Sequence, residues 1–261
     1  MGLNLDAIKA KLNQLNRSDD RRNNLWKPEA GKTRVRIVPY VHRKDNPFLE
    51  LYFHYDLAKR SMLSPVSFGN ADPVVEFAEK LKKTGDKEDW LMGRKIEPKM
   101  RTYVPVIVRG KEADGVKFWG FGKTIYTELL SIVSDPDYGD ITDLMNGRDI
   151  DVEFTPAEGG AFPKTAIRVK PNTSPATEDK AIAEKVMNQP KITDIFPEPT
   201  YEELENALKE WMNPENADAD VETTTTTTKA NNSESNSESN SESNTEKKTD
   251  VASAFNDLFN S

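Results

Sequence analysis

Alternating polar and apolar residues predict several short strands in the first two thirds of the chain. In one of them Lys32, Arg34 and Arg36 share a face. The intervening Val35 and Ile37 share the opposite face, because successive side chains of a strand point to opposite sides of the sheet. Comparable runs predict further strands at about residues 48–57, 101–108, 116–122, 149–154 and 165–170.

Four segments before the tail instead have their apolar residues at helical spacing. The clearest begins after Asp72, a residue favoured at the N-cap, with Pro73 in the first turn and Gly85 beyond the end. Thr200 and Glu203 have the spacing of a capping box and predict the start of the last helix. The four predicted helices span about residues 3–16, 72–81, 123–133 and 200–212.

Short strands interrupted by helices predict an α+β, mostly β fold. The natural candidate is an oligonucleotide-binding (OB) barrel with helical insertions, although the pattern also allows another α+β sheet. We divide the chain into a basic N-terminal helix and arm (residues 1–25), an OB core with a C-terminal helix (26–212) and a disordered acidic tail (213–261).

The predicted tail contains almost nothing that could be buried. Six consecutive threonines are followed by Ser-Glu-Ser-Asn repeats, a composition typical of disorder. The last residues are apolar again at helical spacing, and a soluble tether with an amphipathic tip is typical of a peptide ligand for another protein. The alternative is an apolar end without a role. The residues expected to bind a partner are Val251, Phe255, Leu258 and Phe259.

Composition excludes several classes of chemistry. The chain has no cysteine and two histidines, so disulfides, thiol catalysis and cysteine-ligated metals are excluded, and histidine-based sites have few residues available. No stretch reaches the roughly 20 apolar residues of a membrane span, and the N-terminus lacks a secretory signal. We therefore expect a cytoplasmic chain with no membrane partner and no cofactor.

The net charge of −8 conceals a strong asymmetry along the chain. Residues 1–126 contain 25 Lys and Arg against 16 Asp and Glu, residues 127–212 contain 8 against 18, and residues 213–261 contain 3 against 10. A basic first half followed by an acidic appendage predicts an anion-binding region within a chain that is acidic overall.

One predicted hairpin combines cations with aromatic rings, which together allow single-stranded nucleic acid to be bound without base reading. In its second strand Trp119 and Phe121 share a face with two lysines, and rings between lysines are unusual on a purely structural strand. We therefore predict that both rings are exposed for base stacking; the alternative is that they pack beneath a neighbouring helix. The candidate residues of this hairpin are Arg101, Tyr103, Lys117, Trp119, Phe121 and Lys123.

Three further groups of cations extend the candidate DNA-binding surface. The first lies on the predicted strand that contains Val35, and the second forms a row on the last predicted strand. The third lies in the basic segment at residues 94–101, interpreted as a loop that closes over bound DNA, with ordinary solvated charge as the alternative. Their members are Lys32, Arg34, Arg36, Lys164, Arg168, Arg94 and Lys95.

Catalytic motifs are incomplete. Gly-Lys-Thr occurs at residues 31–33 and 122–124, but Trp26 and Lys117 stand where a phosphate loop requires glycine. His54 is not accompanied by the turn that presents a serine or cysteine nucleophile. We expect a non-enzymatic protein; the catalytic alternative, a nuclease, would need a convergent carboxylate cluster for its metal.

Several short motifs follow one another in a specific order. They are Leu5-Asp-Ala-Ile-Lys-Ala-Lys-Leu-Asn13, Leu25-Trp-Lys27, Arg34-Val-Arg-Ile-Val-Pro39, Pro47-Phe48, Phe53-His54, Asp72-Pro-Val74, Arg101-Thr-Tyr-Val104, Val116-Lys-Phe-Trp-Gly-Phe-Gly-Lys-Thr-Ile125 and, in the acidic tail, Asn256-Asp-Leu-Phe259. In this order, over nearly the whole chain, the sequence resembles the gene-32-type single-stranded DNA-binding proteins of T-even-like bacteriophages, which destabilise DNA helices.

The resemblance implies an OB core, a basic N-terminal segment for cooperative head-to-tail binding of copies along DNA, and an acidic C-terminal segment that binds replication and recombination proteins. It implies DNA contacts at Arg34, Arg36, Arg94, Lys95, Arg101, Tyr103, Lys117, Trp119 and Lys123. The family's basic Lys-Arg-Lys-Ser-Thr start is missing from this chain. The cations that would serve cooperativity instead are Lys9, Lys11, Arg17, Arg21 and Arg22.

The zinc site of the well-known members is a further departure. Those proteins hold zinc with one histidine and three cysteines in the region that matches residues 54–75. His54 matches the histidine, but Asp72 and Val75 stand where a Cys-x-x-Cys pair would fall. One histidine cannot form that tetrahedral site, so we predict no zinc.

The expected function is sequence-nonspecific binding of single-stranded DNA. The protein would coat and protect the strand in phage DNA replication, recombination and repair, in the cytoplasm of the infected host cell. The rival prediction is an OB-fold adaptor that binds protein and not DNA, in which case the fluorescence of Trp119 would not respond to oligonucleotides.

Overall fold

The computed structural model describes residues 23–43, 45–57 and 60–212. Within them the predicted mixed α+β class is confirmed, and no helix there has the length and apolarity needed to cross a bilayer. The strands are β1 Leu25–Trp26, β2 Gly31–Ile37, β3 Leu49–Leu57, β4 Arg60–Leu63, β5 Lys99–Val108, β6 Lys117–Phe121, β7 Arg148–Thr155 and β8 Lys164–Thr173. The helices are α1 Pro73–Lys83, α2 Lys87–Ile96, α3 Lys123–Val133, α4 Lys180–Met187, α5 Ile192–Ile195 and α6 Tyr201–Met212.

The strands form a mostly antiparallel sheet. Its main path has the order β1-β6-β5-β2-β7-β8, and β3 pairs with β4 and β5. The short β1 runs parallel to β6, whereas the pairs β2–β5, β2–β7, β5–β6 and β7–β8 are antiparallel. β6 and β7 follow each other along the chain but are not neighbours in the sheet, and α3 lies in the connection between them.

The chain divides into two compact units, and the second interrupts the first. Within the described part of the chain, the first unit contains residues 23–52 and 100–198, and the second contains residues 53–99 and 199–212. The sequence predicts a single core at residues 26–212 with helical insertions. The insertion between β3 and β5 has a hydrophobic core of its own, to which the C-terminal helix contributes.

The core of the first unit lies on the face of the sheet that α3 covers. Val35 and Ile37 are completely buried there, as the alternation along β2 predicts, and they belong to the same cluster as Leu129 of α3. A smaller cluster lies elsewhere in this unit and joins Ile107 of β5 to Val186 of α4. Residues of β5 therefore enter two hydrophobic clusters.

The boundaries of α1 follow from local chemistry. The carboxylate of Asp72 accepts hydrogen bonds from the backbone N–H groups of Val74, at 2.9 Å, and Val75, at 3.3 Å. These donors have no partner within the helix, so a capping carboxylate stabilises the helix start. Phe77 and Leu81 lie on the buried face of α1, as their spacing predicts.

The capping box predicted before α6 is present. The backbone N–H of Thr200 donates to the Glu203 carboxylate at 2.8 Å, and the N–H of Glu203 donates to the Thr200 hydroxyl at 3.2 Å. The apolar face of α6 buries Leu204 and Leu208 in the same cluster as α1. The C-terminal helix therefore belongs to the second unit.

Candidate nucleic-acid interface

The cations of β2 occupy two different environments. Lys32 and Arg34 keep 56% and 46% of their side chains exposed, and both contact Asp151 of β7, at 2.9 and 2.8 Å. Arg36 on the same face is completely buried. The alternation of the sequence predicts that these three residues share a face, but it does not distinguish their burial.

Strand register joins the cations of β2 to those of β8. Arg34 lies opposite Asp151, which in turn lies opposite Arg168, so these three side chains share one face of the sheet. Lys32 lies opposite Glu153 in the same way. We define the basic face by its five cations and two carboxylates: Lys32, Arg34, Lys164, Arg168, Lys170, Asp151 and Glu153. Five positive against two negative charges leave an excess of +3, and two of the separately predicted groups of cations meet here.

Asp151 balances part of the positive charge at the centre of this face. Its carboxylate is 3% exposed and contacts Lys170 at 3.4 Å in addition to Lys32 and Arg34. Burial alone would raise the pKa of Asp151, but the hydrogen bonds from Arg34 and Lys32 outweigh it and lower the pKa to about 2. The pKa of Arg34 is raised, because its hydrogen bond to Asp151 favours the charged guanidinium.

Arg36, which the sequence predicts as a DNA contact, is instead completely buried and makes structural contacts. Its guanidinium contacts Asp149 at 2.9 Å and donates hydrogen bonds to the carbonyl oxygen and hydroxyl of Ser174, at 2.8 and 2.7 Å. Asp149 is also bound by Arg109 at 2.9 Å. Because these partners surround Arg36 and its side chain is completely buried, no surface remains for a phosphate.

The aromatic rings predicted for stacking on β6 lie in the hydrophobic core. Trp119 is 1% exposed and Phe121 is 4% exposed, so the prediction that these rings are exposed is wrong. The ring of Trp119 makes edge contacts with Trp26 at 5.7 Å and with Phe121 at 4.6 Å. Val104 lies directly opposite Trp119, which places the apolar face of β5 toward the same core.

Tyr103 points away from that core but is also buried. Its ring covers Gly120 of the neighbouring strand, where a Cβ atom would lie 2.6 Å from Cε1 of Tyr103. The ring also contacts Phe196 at a centroid distance of 4.9 Å and is 7% exposed. The ring that the sequence predicts for stacking is therefore buried. Arg101, two residues earlier on β5, is exposed and donates to the Gly120 carbonyl at 2.9 Å.

The two lysines that flank β6 differ from each other. Lys117 is half-buried, and its ammonium donates a hydrogen bond to the carbonyl oxygen of Asn23. Lys123 is exposed at the first position of α3. Of the six candidates on the hairpin, Arg101 and Lys123 therefore have exposed side chains.

Arg94 and Lys95 lie in the last turn of α2 in the second unit, so their interpretation as loop residues is wrong. Both are exposed. The guanidinium of Arg94 lies 5.1 Å from the centre of the Trp90 ring, a favourable cation–π geometry. Trp90 is itself 41% exposed. Sequence reasoning missed this ring, although its spacing of four residues from Arg94 along a helix is a usable signal.

Phe162 is the second ring that sequence reasoning missed. It lies in the loop of residues 156–163 between β7 and β8 and is 92% exposed, more than any other large hydrophobic residue of the described chain. Lys164, two residues later, is exposed and begins β8. The available sequence signal is an aromatic residue between a Gly-Gly turn and a lysine, in a segment with no apolar periodicity.

The residues around His54 do not fit a zinc site. The Nδ1 atom of His54 is 2.8 Å from the carbonyl oxygen of Ile96, and Nε2 is 3.0 Å from the carboxylate of Asp72. Ser64 donates to the same carboxylate at 2.5 Å. Both ring nitrogens are thus engaged, and the described residues contain no cluster of three or more metal-ligating side chains. The buried carboxylate of Asp72 therefore takes part in a hydrogen-bond network with His54 and Ser64.

Two sets of predicted residues lie outside the described part of the chain. The first is the cooperativity set Lys9, Lys11, Arg17, Arg21 and Arg22, and the second is the partner-binding set Val251, Phe255, Leu258 and Phe259. Both remain predictions from the sequence. In comparisons with known proteins, no protein-family model and no curated protein matches the chain. A functional proposal must therefore be based on the residues and structure of this chain.

Proposed function

We propose that this protein binds single-stranded DNA without sequence preference and coats it during phage DNA replication, recombination and repair. The observation that carries the proposal is the basic face, whose five cations come from two strands and outnumber its carboxylates by three. An excess of exposed cations attracts a polyanion and releases its counterions, which requires no contact with base edges.

The strand order of the first unit supports an OB barrel. Taken in chain order, β2, β5, β6 and β7 occupy the spatial order β7-β2-β5-β6. This is the order 4-1-2-3 of a Greek key, in which the fourth strand returns through a long connection to lie beside the first. The OB fold is a five-stranded, partly open Greek-key barrel, and β8 beside β7 supplies the fifth strand.

The spacing of the cations suits a phosphate chain. Side chains on one face of a strand are separated by about 7 Å per two residues, which is comparable with the separation of phosphates in an extended strand. Lys32 and Arg34 on β2, and Arg168 and Lys170 on β8, are each two residues apart and supply two such rows. Hydrogen bonds to Asp151 hold Arg34 in position without removing its exposed surface.

The proposed cellular role includes the two ends of the chain. The basic N-terminal segment would bind neighbouring copies along DNA, and the acidic tail would recruit replication and recombination proteins. These roles rest on the family resemblance and on the charge asymmetry of the sequence. We propose no catalytic activity and no bound cofactor.

Binding of a fluorescein-labelled dT oligonucleotide to the full chain, measured by anisotropy across a salt series, tests the function. Each phosphate contact should contribute about −0.7 to the slope of log affinity against log salt concentration. The double variant Lys32→Gln/Arg34→Gln should bind more weakly and with a shallower slope. Lys180→Gln, which removes an exposed lysine of the first unit outside the basic face, is the matched control.

Absence of salt-dependent binding by the wild-type chain would contradict the proposed function. An unchanged slope in the double variant would show that DNA binds elsewhere. Because Trp119 is buried, we expect any quenching of intrinsic fluorescence by oligonucleotides to come from a more exposed tryptophan, and Trp90→Phe should then remove it.

A specific observation favours the adaptor as a second candidate. Trp90 and Leu91 lie next to each other on α2 and are 41% and 53% exposed. Aromatic residues on a surface are enriched at protein–protein interfaces. If the wild-type chain ignores oligonucleotides while Trp90→Ala abolishes binding to another protein, the adaptor is the correct function. Metal-dependent cleavage of the labelled strand would instead support the nuclease.

A further inference from the structure

We propose that Phe162 is a base-stacking residue and that the loop between β7 and β8 presents it to single-stranded DNA bound along the basic face. This inference rests on the proposed function and adds the aromatic component that the basic face lacks. Binding without base reading combines cations along the phosphates with flat rings beneath the bases. On the β5–β6 hairpin the rings predicted for this purpose are buried.

The exposure of Phe162 is the first observation. With 92% of its surface exposed, the ring gains almost nothing from burial in the free protein. The next most exposed large hydrophobic residue of the described chain is Met145, at 68%. A single exposed hydrophobic residue needs no explanation by itself, but Phe162 also lies beside the basic face in the chain.

The position of the loop is the second observation. Residues 156–163 connect the strands that contribute Asp151 and Arg168 to the basic face, and Lys164 of that face follows Phe162 by two residues. In OB folds the loop between the fourth and fifth strands is one of the two that bind oligonucleotides. In this chain β7 and β8 are the fourth and fifth strands of the proposed barrel.

Local interactions restrict the backbone of the loop around Phe162. Gly159 and Gly160 have φ angles of +57° and +87°, and the N–H of Ala161 donates to the Glu158 carbonyl at 2.9 Å to close a tight turn. Pro163 follows Phe162 and restricts it to extended conformations. A backbone that is already restricted loses less conformational entropy when DNA binds to the loop.

Charge complementarity identifies the partner as a polyanion with aromatic bases. Glu153 and Glu158 are the exposed acidic groups of this face and loop, and the five cations of the basic face outnumber its two carboxylates. The cations of this face can bind phosphate groups, and the projecting ring can stack on an aromatic base. A nucleic acid uses both.

The test compares Phe162→Ala with the wild-type full chain on two labelled strands, oligo-dT and a deoxyribose-phosphate strand of equal length that lacks bases. Alanine should weaken oligo-dT binding about 5- to 150-fold, the range expected for one stacked base. The salt slope should not change, because no phosphate contact is lost. On the strand without bases both proteins should bind equally. Phe162→Trp should restore binding to oligo-dT.

Phe68→Ala removes another exposed phenylalanine, at 38% exposure in the second unit, and is expected to bind oligo-dT like the wild type. Equal oligo-dT affinities of Phe162→Ala and the wild type would overturn the stacking role while leaving the proposed function intact. A loss of equal size on the strand without bases would also overturn it. Failure of the wild-type chain to bind either strand would overturn the proposed function and this inference together.

Discussion

The β5–β6 hairpin and the basic face have the same appearance in the sequence but different environments in the structure. Both alternate cations with apolar or aromatic residues along neighbouring antiparallel strands. On the hairpin the rings of Trp119, Phe121 and Tyr103 are buried, whereas on the basic face Lys32 and Arg34 remain half-exposed. An alternating pattern therefore identifies the two faces of a strand but not which face is solvated.

The difference arises from what covers each strand. On one side of the hairpin, Trp119 and Phe121 share a cluster with residues of α3. On the other side Tyr103 contacts Phe196, and Phe118 contacts Tyr40 at 5.9 Å. The strands that carry the basic face pack against the core on their opposite face only. Segments distant in sequence thus bury the hairpin.

The largest effect should separate the two regions by stability. Trp119→Ala should lower the free energy of unfolding by about 3–5 kcal/mol, because it leaves a cavity in the core. Phe162→Ala, which removes an exposed ring, should change it by no more than about 0.5 kcal/mol. Urea unfolding followed by far-UV circular dichroism measures both. If Trp119→Ala lowers the free energy of unfolding no more than Phe162→Ala does, the ring of Trp119 is not part of the core.

An intermediate effect should appear on the basic face as pH falls. The pKa of Asp151 is about 2 in the folded chain and about 3.8 when unperturbed. The carboxylate's contribution of about 2 kcal/mol is therefore complete above about pH 4 and is lost as the pH falls toward 2. Urea unfolding between pH 6 and pH 2.5 should show this loss, and Asp151→Asn should reduce it. If Asp151→Asn loses as much stability between pH 6 and pH 2.5 as the wild type, Asp151 is not the source of this pH dependence.

The smallest effect should distinguish lysines of the two regions. Lys164→Gln, on the basic face, should make the salt slope of oligo-dT binding shallower by about 0.7, the value for one phosphate contact on a single strand. Lys117→Gln should leave the slope unchanged, because Lys117 is half-buried and donates to Asn23. Anisotropy titrations at four or more salt concentrations measure the slopes. If Lys117→Gln makes the salt slope shallower and Lys164→Gln does not, DNA binds at the hairpin and not at the basic face.

Local features of the fold could be predicted from the sequence because their causes are local. The N-cap at Asp72 and the capping box of Thr200 and Glu203 depend on residues within three positions of one another. The alternation along β2 depends only on the pleat of a strand, and it correctly assigns Val35 and Ile37 to the core. Helix starts and strand faces are thus encoded in short windows.

Part of the candidate site could not be predicted, because it depends on pairing between distant segments. Arg36 differs from Arg34 only because Ser174 and Asp149, more than a hundred residues away, surround its guanidinium. The partnership of His54 with Ile96 and Asp72 has the same origin. Phe162 was missed because a loop residue has no periodicity that would reveal its exposure.

The sequence alone determined the mixed α+β class, most of the element boundaries, the separation of basic from acidic regions and the absence of cysteine chemistry. These properties follow from composition and from interactions between near neighbours in the chain. Only the tertiary structure decided which cations meet on one face, which arginine is buried and which rings reach solvent. Those outcomes depend on strand register and on which helices cover a strand, and both are set by contacts between segments far apart in sequence.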